Sequence, residues 1–197
     1  MRAWSSAERD RNTATAALLL VQICIGYEWL VSGLTKVVRG DFTSGLTAEL
    51  HEMAQSAPSW YGSFLSDAVI PHSQPVAYAV ETAELVAGVL LLGAGIALLA
   101  RGKSLSAGIC RYLRLATAAA ALLGLVLVVN FELANGGTFG LSLAKDSFDE
   151  GVDLDTIMVG LQLALFLFGV TGLARHERHE SKATPRGASV HPLRIGS

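Results

Sequence analysis

The chain has 197 residues, 51% of them hydrophobic and 16% charged, with a net charge of −2. A soluble domain carries roughly 25% charged residues, and here the charges are clustered, leaving four long apolar runs. That pattern excludes an ordinary water-soluble fold and any nucleic-acid partner, and it describes one small domain set in a lipid bilayer.

Residues 1–13 are polar, with Arg2, Arg9 and Arg11, and read as a short cytoplasmic arm. The first span is expected over about Ala14–Val38. Its first half is plain; its second half, YEWLVSGLTKVV, carries Glu28, Ser32 and Lys36 at i, i+4 and i+8, a polar stripe along one helix face. Gly26 and Gly33 lie seven apart, where small residues allow close helix approach. Cys24 is expected as a small core residue.

The connection from Arg39 to Ser73 is not uniformly polar. Leu46, Leu50, Met53 and Ala54 repeat with helical spacing, and after Pro58 the segment WYGSFLSDAVI places Trp60, Phe64 and Leu65 on one side. Neither piece is long enough to span, so two short amphipathic helices are expected at the surface, capping a bundle. Pro71 and Pro75 bracket the entry to the second span.

The second span, Pro75–Ala100, is apolar almost throughout, yet carries Glu81 and Glu84 one turn apart on the same face. Ionisable groups at membrane depth are costly and mark functional sites by default. Arg101, Lys103, Arg111 and Arg114 follow. The third span, about Leu113–Ala134, contains Asn130 and Glu132, and a glycine-rich acidic loop leads to the fourth, about Val152–Leu173, which begins with Asp153 and Asp155 and contains Gln162. The spans make a membrane domain of residues 14–174, and the polar tail 175–197, with His176 and His179, reads as a disordered cytoplasmic segment. No cleavable signal is expected. Cys24 and Cys110 form no CxxC, so neither a mutual disulfide nor a zinc site is expected, and no nucleotide-binding glycine motif is present.

Lys and Arg set the orientation. Three lie in the N-terminal arm, four between spans two and three and five in the tail, against Lys36, Arg39 and Lys145 on the other side. The positive-inside rule places both termini in the cytoplasm. Counted from the outer ends, Glu28, Glu84 and Gln162 then lie at one level, roughly 14–15 Å down. Nearer the outer face come Lys36, Tyr78, Glu81, Asn130, Glu132 and Asp155. The pattern describes an outward-opening polar cavity floored near the midplane, with apolar walls. Lys36 is matched in depth to Glu81, as a structural ion pair or as part of the cavity. Glu132, Asp153 and Asp155 read as a solvated rim. A carboxyl in hydrocarbon favours its neutral form unless a cation or donor holds the charge, which suits Glu28 and Glu84 to proton delivery.

Two stretches, GYEWLVSGLTKVVRGDFTSGL and WYGSFLSDAVIPHSQPVAYAVETAELVAGVLLLGAG, carry a family resemblance over roughly Gly26 to Gly95. The small-Gly step into a lysine (Ser32, Gly33, Lys36) and the Glu followed by Gly four later (Glu84, Gly88) resemble the DoxX/DoxD group of small bacterial membrane proteins, most closely the DoxD type, described as the membrane subunit of thiosulfate:quinone oxidoreductase. The resemblance implies a four-helix membrane bundle in the bacterial cell membrane and quinone chemistry; Glu28 and Glu81 are not part of the pattern. The expectation is therefore an all-α, four-transmembrane-helix bundle acting as a quinone-linked redox subunit in sulfur-compound oxidation. Glu84 and Glu28 would be proton donors or relays, and Lys36, Tyr78, Glu81, Asn130 and Gln162 the ligand-binding side chains. No haem pair, flavin motif, metal site or cysteine redox pair is visible, so electrons would come from a second redox subunit or from a sulfur substrate at the outer face. The alternative is a non-catalytic accessory or assembly subunit. A solute or proton pathway is disfavoured, because the cytoplasmic half, apart from Gln22, lacks polar lining.

Overall fold

A computed structural model describes residues 6–102, 104–136 and 154–183. Six α-helices occur among them and no strand: α1 Ser6–Arg39, α2 Phe42–Ser56, α3 Ser59–Phe64, α4 Ser73–Arg101, α5 Ala107–Ala134 and α6 Leu154–Ala183. Four stretches are long and apolar enough to cross a membrane, within α1, α3–α4, α5 and α6. The protein is an all-α membrane bundle, as the hydropathy pattern predicts. Val31, Val89, Ile96, Leu122, Val126 and Leu167 are exposed on its outer surface, which lipid tolerates and water does not.

Helix α1 stops where Gly40 turns to φ +70°, and the Gly40 amide donates to the Lys36 carbonyl at 3.0 Å. Glycine takes this left-handed conformation without a Cβ clash, so it closes the helix. The link to the second span is almost continuously helical. After α3 comes a π-helical turn, Leu65–Val69, then a 3-10 turn, Ile70–His72, and α4 begins at Ser73 with Pro75 in its first turn. Proline has no amide hydrogen to lose at that position. The helix of the fourth span, α6, continues past the expected span end to Ala183, so residues 175–183 are helical where a disordered tail was expected; its apolar segment is Thr156–Leu173. The glycine-rich loop, Asp153, and residues 1–5 and 184–197 lie outside the described residues.

Packing is closest between α1 and α4, then between α5 and α6, with α4 against α5. The α1–α4 contact depends on a reciprocal pair of glycines. A Cβ on Gly88 would stand 2.5 Å from the Leu30 backbone nitrogen, and one on Gly26 would collide with the Leu92 backbone. Two backbones can approach this closely only where the side chain is absent. Ile25, Trp29, Ala87, Leu91, Ala121, Val128 and Leu165 belong to the inner core.

A second apolar cluster, with Leu46, Leu50, Tyr61, Leu65, Ala77 and Ala134, seats α2 and α3 over one end of the bundle. The α2 periodicity therefore marks its buried face as predicted. The α3 reading needs correction: Tyr61 and Leu65 point inward, whereas Trp60 and Phe64 are 64% and 48% exposed. The inward pair at i and i+4 is set by contact with α2 and α5, and the flanking aromatics are left for the membrane surface, where amphipathic rings are stable. Cys24 is also exposed rather than in the core, and both cysteines are free.

Candidate functional site

The α1 stripe and the α4 carboxylates meet. Lys36 Nζ donates to both Glu84 oxygens at 2.7 Å and to Ser32 Oγ at 2.9 Å, and Ser32 Oγ in turn donates to Glu84 Oε2 at 3.1 Å. Ser32 and Lys36 share a face because they are one turn apart. The Glu84 side chain is 1% exposed and that of Lys36 is 22% exposed. The ammonium lies 5.3 Å from the centre of the Phe42 ring of α2, within cation–π range.

Beside this pair is a cavity of about 200 Å³, lined on one side by Glu28, Trp29, Ser32, Lys36 and Glu84, and on the other by Val128, Phe131 and Met158. Its polar wall comes from α1 and α4 and its apolar wall from α5 and α6. Backbone contact between α1 and α6 is sparse; the gap is bridged by side chains. With its amide oriented to satisfy its neighbours, the fully buried Gln162 accepts from the Trp29 indole N–H and donates to the Ala121 carbonyl at 3.3 Å. Gly124 leaves room for that amide, since a Cβ there would stand 2.5 Å from it.

Glu28, Glu84 and Lys36 therefore converge at one cavity, with Gln162 bonded to a residue of its wall. Glu28 is exposed and makes no hydrogen bond or ion pair among the described residues. Four expectations need correction. Lys36 pairs with Glu84, not Glu81; Glu81 is 8% exposed, outside the cavity lining, between Glu84 and the capped end. Asn130 is engaged by the cap: its Oδ1 accepts from the Tyr61 hydroxyl at 2.8 Å and its Nδ2 donates to the Val126 carbonyl at 2.6 Å. Tyr78 is 54% exposed and does not line the cavity, because its place on α4 is off the stripe that carries Ala77, Glu81 and Glu84. Glu132, expected on a solvated rim, is buried and accepts from the Thr156 hydroxyl at 3.3 Å. The Asp155 side chain lies outside the described residues.

Trp29, Phe131 and Met158 were not legible as cavity walls. Trp29 had the clearest signal, an indole N–H at the depth of a buried glutamine on another span. The other half of the bundle holds a buried polar node. Gln22 is fully buried and its Nε2 donates to the Leu91 carbonyl at 2.9 Å and to Thr117 Oγ1 at 3.0 Å. Among the described residues no cluster of metal-binding side chains is found.

Chemically, the cavity offers a cation already spanned by a carboxylate, an uncommitted carboxyl at the mouth, and aromatic and thioether surface opposite. A few polar groups converging in an apolar-walled cavity is how small-molecule sites are built. In comparison with known proteins, the chain matches no family model, and no curated protein or solved structure is significantly similar to it.

Proposed function

We propose that this chain is the quinone-binding membrane subunit of a redox system of the DoxX/DoxD type, oriented with both termini in the cytoplasm of a bacterial cell and the cavity in the outer half of the bilayer. The observation that carries the reading is the meeting of the Lys36–Glu84 pair and the unpartnered Glu28 at an apolar-walled cavity within the membrane span. Drug-sized ligands occupy roughly 300–1,000 Å³, so a cavity of about 200 Å³ suits a single ring headgroup, with its isoprenoid tail in the lipid. Lys36 would donate to one quinone oxygen. Reduction to the quinol takes two electrons and two protons; Glu28, reprotonated from the outer aqueous phase between the two transfers, supplies the protons, Glu84 holds the Lys36 ammonium in place, and a partner subunit or a sulfur compound at the outer face supplies the electrons.

One observation favours the alternative, an accessory subunit whose charges are structural: both Glu84 oxygens are already bonded within the protein. Extraction of bound quinone from wild type, Lys36→Met and Glu28→Gln separates the two. Under the quinone reading, wild type retains quinone near one per chain, Lys36→Met loses it, and Glu28→Gln binds it but slows its reduction. A folded wild-type protein without quinone, unable to take up added quinone, would refute it.

A further inference from the structure

We propose that a second cavity, at the end of the bundle opposite the capping helices, binds the headgroup of an anionic phospholipid. The cavity measures about 890 Å³ and lies where the start of α1, the end of α4 and the start of α5 meet. It does not depend on the quinone reading, only on the bundle spanning a bilayer.

Three features identify the occupant. The first is depth. The α1 span begins at Asn12, the α4 span ends at Arg101 and the α5 span begins at Ala107, and all three residues line this cavity. Its mouth is therefore at the membrane–water boundary, where headgroups lie. The second is charge. Arg101 and Arg114 line it, and among the described residues no carboxylate does. The Arg101 side chain is exposed and makes no ion pair or hydrogen bond among the described residues. Arg114 is held in place, its guanidinium 4.8 Å from the centre of the Phe168 ring. Asn12, Thr15 and Ser104 add neutral polar groups around them. The third is the polarity gradient. Leu19, Leu98, Leu99 and Leu105 form the remaining walls, so the site is cationic at its rim and apolar within. A free inorganic anion has no use for the apolar walls; a lipid, with phosphate at the rim and acyl chains running down, uses both. Basic pockets between membrane helices recognise acidic headgroups in this way, and the volume lies within the usual ligand range of about 300–1,000 Å³.

The protein carries its own reporter, since Cys110 lines the cavity while Cys24 is exposed elsewhere. A Cys24→Ser variant is placed in nanodiscs of phosphatidylcholine alone or mixed with phosphatidylglycerol. Alkylation of Cys110 by a water-soluble maleimide is timed, and the lipid retained after detergent extraction is identified by native mass spectrometry. The expected result is slower alkylation with phosphatidylglycerol and selective retention of that lipid. Arg101→Gln should weaken the preference about fivefold, the worth of one basic side chain at an anionic surface. Arg101→Lys should restore it, and Arg111→Gln, outside the cavity lining, should leave it unchanged. Equal retention of the two lipids, an unchanged preference in Arg101→Gln, or loss equal to it in Arg111→Gln would overturn the proposal. Displacement of the lipid by millimolar inorganic phosphate would also overturn it, by making the site one for free anions.

Discussion

Removing either partner of the Lys36–Glu84 pair should destabilise the bundle, but by unequal amounts. Glu84 is 1% exposed and Lys36 is 22% exposed. In Lys36→Met, the carboxylate, 1% exposed, keeps only Ser32 as its donor from the pair's own network. Breaking a buried pair in this way costs about 3–5 kcal/mol. In Glu84→Gln the shape is kept, the amide oxygen still accepts, and the ammonium can extend to the surface. The loss is then one charge-assisted hydrogen bond, about 1.5–3 kcal/mol. The double variant removes the same interaction once, so its cost should fall short of the sum of the singles by at least about 1 kcal/mol. Reversible unfolding in mixed micelles, titrated with dodecyl sulfate and followed by helix circular dichroism, measures all three. A Glu84→Gln loss larger than that of Lys36→Met, or costs that add to within about 0.5 kcal/mol, would refute the argument.

Other consequences follow from the packing. Gly88→Ala should cost about 1–3 kcal/mol by overpacking against the Leu30 backbone, whereas Gly93→Ala, which meets nothing within 4 Å, should be near neutral in the same unfolding assay. Tyr61→Phe deletes the bond to Asn130 and should cost about 1 kcal/mol, read as faster amide exchange in α2 and α3 than in α5. Gln22 keeps two hydrogen bonds, but its Oε1 is buried without a partner among the described residues. An orphaned polar atom costs about 1–3 kcal/mol, which offsets those bonds, so Gln22→Leu should stay within about 1 kcal/mol of wild type; a loss above about 3 kcal/mol would mean the oxygen is satisfied by a bound molecule.

The spans were legible because an apolar run of about 20 residues has few alternatives in any fold. That Glu28, Glu84 and Gln162 share one level was legible because rise per residue converts position into height. The partner of Lys36 was not, and the reason is the direction of side chains. Every Cα–Cβ bond leans toward its helix N-terminus. α1 and α4 run in opposite directions, so Lys36 leans toward the middle of the bundle and Glu84 leans toward the capped end. The two tilts together close the one-turn gap that backbone height assigned to Glu81. Tyr61 and Asn130 were missed for a different reason: the contact joins a short surface helix to the third span, and nothing in either local pattern encodes that docking. Trp60 and Phe64 misled because a short helix with aromatics on two faces has no unique buried side until its neighbours are in place.

Glu28 distinguishes function from structure most sharply. It is exposed at the cavity mouth, and no described residue pairs with it. The seam it occupies, between α1 and α6, is closed by side chains rather than by backbone contact. A roof of Phe42 and the α2–α3 cluster covers the capped end, so the seam is the direct route into the cavity from the side of the bundle. On insertion scales an acidic side chain at the centre of a membrane span costs about 2.5–3.5 kcal/mol, and among the described residues nothing pairs with Glu28 to offset it. Glu28→Leu should therefore unfold at higher, or at least equal, denaturant concentration than wild type, while losing proton delivery to any quinone in the cavity. Stability and turnover measured on the same preparation would separate in opposite directions. A stability loss above about 1 kcal/mol would instead show that Glu28 holds a structural partner, and a stable variant with unchanged quinone reduction would remove it from the proton path.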